Sequence, residues 1–216
     1  LCHSKVTGYR KLEKVYLLLA SVAIGFLLGS LPFSVWLVHL VTHVNVRRFG
    51  DGNPGAINAW KAGGWPVGVT VLLLDVIKGG VPVTIARFVF TIEDWFLVPV
   101  ALSPIVGHAF SPWLRFRGGK GIAATFGVWS ALTFWVVPTT LGLLMATIMA
   151  LQTVPAWTAI IATVATLIIM LIVRLETCLI VALALNLVLL AWTHRKELLS
   201  APRLRDFSRG KRRTDR

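Results

Sequence analysis

Acidic residues are few. The 216 residues hold 9 Asp or Glu against 22 Lys or Arg, and only 14% of positions are charged while 56% are hydrophobic. That balance excludes a soluble globular domain and points to an integral membrane protein. Cysteine is almost absent: Cys2 sits in a polar tail and Cys178 in an apolar run, which offers no metal spacing and no case for a disulfide. No zinc site is read from the histidines, and Gly118-Gly119-Lys120-Gly121 lacks the spacing of a P-loop, so no Walker motif is present. No serine-hydrolase elbow occurs. The first apolar run is too long for a cleavable signal peptide and lacks a small-residue cleavage site.

What the chain has in abundance is apolar length. Residues 15–41 carry no charge and are long enough to cross the bilayer, with a kink expected at Gly29-Ser30-Leu31-Pro32, where Pro32 removes a backbone donor. Further spans are expected at about 66–90 and 95–113. The run 122–151 is too long for one ordinary span, and Pro138 and Gly142 divide it into helices at 122–137 and 139–151. After a short loop at 152–157 come helices at 158–173 and 177–192. The expected fold class is an all-α integral membrane protein, a seven-transmembrane-helix bundle with short cytoplasmic motif loops. Residues 1–192 would form the bundle and 193–216 a basic cytoplasmic tail, solvated and partly helical at most.

Two glycine-rich loops interrupt the apolar spans. The stretch from Gly107-His108 to Gly121 contains Arg115, Arg117 and Lys120 among glycines that allow tight turns and close backbone approach. It reads either as a phosphate cradle at the membrane surface or as a basic loop that only fixes orientation. The loop at 42–65 holds Arg47, Arg48 and Lys61, and its Gly50-x-Gly52-x-x-Gly55 matches the dinucleotide fingerprint by letter alone. A membrane helix precedes it and no βαβ unit follows, so a turn presenting amides to an anion fits better.

Charge sets the orientation. With seven spans, both glycine loops, the 152–157 loop and the tail share one side, and the tail from Thr193 carries nine Lys or Arg against three acids. The positive-inside rule places that side in the cytoplasm, although Lys5, Arg10, Lys11 and Lys14 then lie outside. Basic residues lying between or beyond spans are explained by orientation and anionic lipid, not by nucleic acid. Asp75 and Lys78, three apart on one helix face, are expected to pair inside the bundle; a direct substrate role or a transport path is the alternative.

These residues together resemble the membrane acyl-phosphate:glycerol-3-phosphate acyltransferases (PlsY). The resemblance covers nearly the whole chain: Gly29-Ser30-Leu31-Pro32-Phe33, Gly52-Asn53-x-Gly55-Ala56-x-Asn58, Leu73-Leu74-Asp75 with Lys78-Gly79, Gly107-His108 through Gly121, and His194-Arg195. It implies a seven-helix enzyme of the cell membrane, multi-pass with its active face cytoplasmic. The enzyme would move a fatty acyl group from acyl phosphate to the 1-hydroxyl of glycerol 3-phosphate, in the lipid bilayer, without metal or other cofactor. Carried over to this sequence, Asn53, Gly55 and Asn58 would hold the acyl-phosphate head group. Lys61 and Lys120 would hold the glycerol phosphate, and Gly118, Gly119 and Arg195 would also bind phosphate. His194 would orient or help deprotonate the acceptor, with Arg195 beside it. His194 and Lys120 are the catalytic candidates.

The departures are specific. Asp51 stands where the family has Ser, Ile57 where it has Thr, Lys61 where it has Arg, and Ala124 where it has Thr. The segment before the sixth span carries Pro155 where a serine-bearing stretch is expected. The family's Arg-His-Arg-Glu-Asn reads Thr193-His194-Arg195-Lys196-Glu197 here, so carboxylates at 51 and 197 stand close to two expected phosphates. Alternatives are an acyltransferase with another acceptor, or a non-catalytic lipid-binding membrane protein. The His-x4-Asp arrangement of other acyltransferases is absent, and too few acids remain for the paired-aspartate Mg²⁺ site of CDP-alcohol phosphotransferases.

Overall fold

The computed structural model describes residues 2–205, with side chains from residue 12 onward. Among the described residues eight α-helices follow one another: α1 Cys2–Gly29, α2 Phe33–Thr42, α3 Ala56–Phe88, α4 Leu97–Ala109, α5 Ile122–Thr133, α6 Val136–Leu151, α7 Pro155–Ile172 and α8 Thr177–Leu198. Among the described residues, the extended backbone pairing is a single isolated bridge, Gln152 with Leu204. Helices satisfy their own backbone groups, which is why they are the form that apolar runs take in lipid.

Within the described residues five segments are long and apolar enough to cross a membrane, Leu12–Thr42, Ala56–Phe88, Asp94–Leu114, Pro155–Ile172 and Thr177–Leu198, while Ile122–Thr133 and Val136–Leu151 are shorter apolar helices. Together they make the seven expected, and the protein is integral to the membrane. The first span is not one kinked helix but two. Pro32 cannot donate, and the carbonyls freed at the break find side chains: Ser111 Oγ donates to Ser30 O at 2.6 Å and Lys78 Nζ donates to Leu31 O at 2.7 Å.

Other boundaries also differ from expectation. The divide in the run 122–151 falls at Phe134 and Trp135, both at positive φ, and Pro138 lies in the first turn of α6. An N–H is not needed in that turn, so this proline starts a helix and does not split one. Pro155 does the same for α7, which begins three residues earlier than expected. α3 begins at Ala56, well inside the expected loop, and bends at Gly64, whose φ is +83°. α8 runs past Trp192 to Leu198, so the Thr193–Glu197 motif is helical. Beyond it the chain turns back, and Thr153 N donates to Arg203 O while Arg205 N donates to Leu151 O. Residues 206–216 of the basic tail lie outside the described residues.

Helices touch where side chains are smallest. A Cβ at Gly127 would stand 1.9 Å from Val76 O and one at Gly79 2.4 Å from Ala124 O, so α3 and α5 meet backbone to backbone. Gly29 and Gly107 do the same for α1 against α4. Close approach of this kind replaces the hydrophobic drive that lipid does not supply. A buried polar link adds to it: Trp129 Nε1 on α5 donates to Asn186 Oδ1 on α8 at 3.1 Å, and Asn186 Nδ2 donates to Thr125 Oγ1 at 3.2 Å.

Candidate active site

The first glycine loop closes on the start of α3 around one carboxylate. Gly50 and Gly52 take φ of +57° and +76°, which puts Asp51 at the tip of a tight turn. Asn53 N donates to Asp51 Oδ1 at 3.2 Å, a local turn of the kind Asp favours, and Asn58 Nδ2 donates to the same oxygen at 2.7 Å and to Asn53 O at 2.9 Å. Asn58 is 3% exposed and sits in the first turn of α3, with Gly55 as its extended N-cap. Lys61, a turn further along α3, brings its Nζ beside Gly50, 3.1 Å from where a Cβ would stand. Asn58 and Lys61 are therefore helical, not loop residues as expected.

The second loop leaves α4 and folds back along its end. Gly118 N donates to Ala109 O at 2.9 Å and Gly119 N to His108 O at 3.0 Å. A Cβ on Gly118 would fall 1.9 Å from His108 O, and one on Gly119 2.1 Å from His108 Nε2. Only glycine permits that contact, but the two N–H groups are consumed in forming it. Gly118 and Gly119 thus shape the loop and present Lys120. Arg47 of the first loop donates to Arg117 O of the second, tying the loops together. Burial and the neighbouring Arg117 guanidinium hold Arg47 below its usual pKa.

α8 completes the cluster. Thr193 Oγ1 donates to Lys120 O at 2.9 Å. The Lys120 ammonium lies 2.5 Å from Asp51 Oδ2 and pairs also with Glu197 Oε1. Burial pushes the Asp51 carboxyl up, but hydrogen bonds from Lys120, Asn58 and Asn53 outweigh it and hold the group at about 2. His194, one turn before Glu197, is 1% exposed and not the solvated helix-end residue that its sequence position suggests. Its Nδ1 lies 2.8 Å from Leu190 O; since a carbonyl only accepts, Nδ1 carries the proton and Nε2 is left with the lone pair. Arg195 turns elsewhere, donating to Trp192 O at 2.6 Å with its guanidinium 4.5 Å from the Trp192 ring.

Beneath the loops lies an ionic group inside the bundle. Asp75 and Lys78 pair at 2.7 Å, 4% and 5% exposed, as the spacing predicts. His108 Nδ1 stands 3.8 Å from the same Asp75 oxygen and has no hydrogen-bond partner among the described residues. A water-sized cavity of about 10 Å³ adjoins this group and is lined also by Ser34, Ser111 and Gly119. Sequence reasoning gave His108 no role. The available signal was a histidine in the last turn of an apolar helix with an acid and a lysine elsewhere in the spans. Among the described residues, no group of three or more His, Cys, Asp or Glu is arranged to hold a metal ion.

Comparison with known proteins points to one family. A family model described as glycerol-3-phosphate acyltransferase matches residues 19–201. Glycerol-3-phosphate acyltransferase 1 of Thermotoga maritima is 45% identical over 121 residues, 54% of this chain and 58% of that protein. A glycerol-3-phosphate acyltransferase of Thermus thermophilus is 41% identical over 131 residues, 59% of this chain and 65% of that protein. The chain thus spans less than two thirds of the length of these curated relatives. Among solved structures, PlsY (YgiH), an integral membrane glycerol 3-phosphate acyltransferase, is similar in its glycerol 3-phosphate form, with 29% identity and a TM-score of 0.77 over 84% of this chain and 90% of that one. Its lysophosphatidic acid form gives 28% identity and a TM-score of 0.76 over 84% and 89%.

Proposed function

The chain belongs to the glycerol-3-phosphate acyltransferase family, and we propose that it acylates glycerol 3-phosphate at the cytoplasmic face of the cell membrane. The donor is acyl phosphate, and the products are lysophosphatidate and inorganic phosphate. One observation carries the reading: Asp51, Lys120 and Glu197, from two loops and the end of α8, meet at one ammonium group. Three segments far apart in sequence are thereby joined at one end of the bundle, where a head group can be held while an acyl tail remains in lipid.

The chemistry asks little beyond position and charge. The 1-hydroxyl oxygen of the acceptor attacks the acyl carbonyl carbon, the new ester C–O bond forms, and the acyl carbon to phosphate oxygen bond breaks. The hydroxyl proton passes to His194 Nε2 or to the departing phosphate. Lys120 and Lys61 offset phosphate charge, and Asn53, Gly55 and Asn58 shape the loop for the donor head group. Arg195, stacked on Trp192, assists by turning toward a bound phosphate or serves the membrane interface from where it lies. The basic loops and tail support the cytoplasmic assignment through the positive-inside rule.

The test is product formation. Purified protein given acyl phosphate and labelled glycerol 3-phosphate is expected to release labelled lysophosphatidate. Consumption of acyl phosphate only with a different alcohol would reassign the acceptor, and no consumption at all would remove the enzyme reading.

A further inference from the structure

Lys120 is more heavily neutralised than a phosphate-binding lysine needs to be. Its side chain is 20% exposed, and two carboxylates from separate elements meet it, Asp51 at 2.5 Å and Glu197 from the last turn of α8. One ammonium beside two carboxylates has a net charge opposed to an incoming phosphate. Two of the ammonium's three N–H donors are already engaged by carboxylate oxygens.

The two acids are not held alike. Asp51 is also fixed by Asn58 Nδ2 at 2.7 Å and Asn53 N at 3.2 Å. The Glu197 carboxylate has no second side-chain partner among the described residues, and its side chain is 31% exposed. It also sits in the final turn of a helix, where the macrodipole disfavours negative charge. Glu197 is therefore the anion with the least to lose on leaving, whereas Asp51 can stay and keep the ammonium in place.

We propose that Glu197 is an internal occupant of the phosphate position on Lys120, a carboxylate that the substrate phosphate displaces and that returns when the site empties. Glu197 is then a specificity-determining residue that lowers affinity for phosphate monoesters, and Asp51 is a positioning residue that anchors Lys120 through the exchange. This rests on Lys120 being a phosphate ligand, as the proposed function holds.

The test titrates the full chain in lipid nanodiscs with glycerol 3-phosphate and, separately, with inorganic phosphate. Wild type is compared with Glu197→Gln, Glu197→Ala and Asp51→Asn, and thermal unfolding checks that each is folded. Both Glu197 variants are expected to bind each anion about twofold to fivefold more tightly, the scale of one partly exposed charge interaction. Asp51→Asn is expected to gain less than either, since it also frees the ammonium to move. Equal or weaker binding by both Glu197 variants overturns the proposal, as does a larger gain in Asp51→Asn. If wild type and variants show the expected binding but form no lysophosphatidate, the enzyme reading fails and the displaced carboxylate stands. If product forms and the Glu197 variants gain no affinity, only the displacement fails. No binding by any variant overturns both.

Discussion

Lys78 Nζ donates to the Leu31 carbonyl oxygen at 2.7 Å, joining α3 to the break between α1 and α2. The same ammonium holds Asp75, and the Asp75 oxygen faces His108 at the root of the second glycine loop. Both loops of the candidate site therefore rest on one buried ionic group. Ser34 Oγ donates to Pro54 O at 2.8 Å and joins α2 to the first loop in turn. A site made of loops is in this way referred to rigid helices.

Lys78→Met should consequently be strongly destabilising. It leaves the Asp75 carboxylate and the Leu31 carbonyl without their donor in an apolar interior, a loss of about 3–5 kcal/mol for one partner of a buried pair. Asp75→Asn with Lys78→Met should recover much of that, because no uncompensated charge remains. Thermal unfolding of the single and double variants in detergent measures both. Equal midpoints for Lys78→Met and wild type would show that the pair contributes nothing.

Lys120→Ala should weaken phosphate binding strongly while the bundle remains folded. The ammonium is the shared partner of Asp51 and Glu197, and loss of a charged hydrogen-bonding partner is worth about 1.5–3 kcal/mol, or roughly tenfold to 150-fold in affinity. The expected result is a rise of that size in KM for glycerol 3-phosphate with an unfolding midpoint near wild type. Unchanged kinetics would remove Lys120 from the site.

Much of this arrangement was legible in the residues. Hydrophobic length fixed the number of spans, and Asp75–Lys78 followed from a three-residue spacing. Helix boundaries were less readable because proline has two meanings. Pro32 ends a helix, whereas Pro138 and Pro155 begin them, and only the neighbouring backbone decides which. Glycine was misread in a similar way. Gly118 and Gly119 read as phosphate-binding residues, but Ala109 O and His108 O take their N–H groups. The burial of His194 and the inward turn of His108 depend on contacts between distant helices, which no local pattern records.

Acid should weaken the loop junction through Asp51. Its carboxyl titrates near 2 instead of the ordinary 3.8, so the folded protein binds the proton less well than the unfolded chain. The resulting stabilisation is fully present above about pH 4 and is lost as pH falls through about 2. The Asp51 side chain is 44% exposed, and water screens the pair, so the effect should be about 1 kcal/mol or less. Unfolding midpoints of wild type and Asp51→Asn, followed from pH 5 to pH 2, should converge as the acid end is approached. A constant gap between them would mean that the carboxyl is not held by its partners.

Gly119→Ala tests whether the second loop takes its shape from His108. The added Cβ would stand 2.1 Å from His108 Nε2, and the ring is buried, at 7% exposure, so it has no open space into which to swing. Strain of this kind costs about 1–3 kcal/mol and should shift Lys120 away from its partners. The expected outcome is a lower unfolding midpoint together with at least a tenfold loss of kcat/KM, since a displacement of about 1 Å at a positioned group suffices for more. His108→Ser removes the obstructing ring, so in the double variant the two losses should not add. Strict additivity would show that the glycine is required for its backbone alone and that the loop does not rest on the histidine.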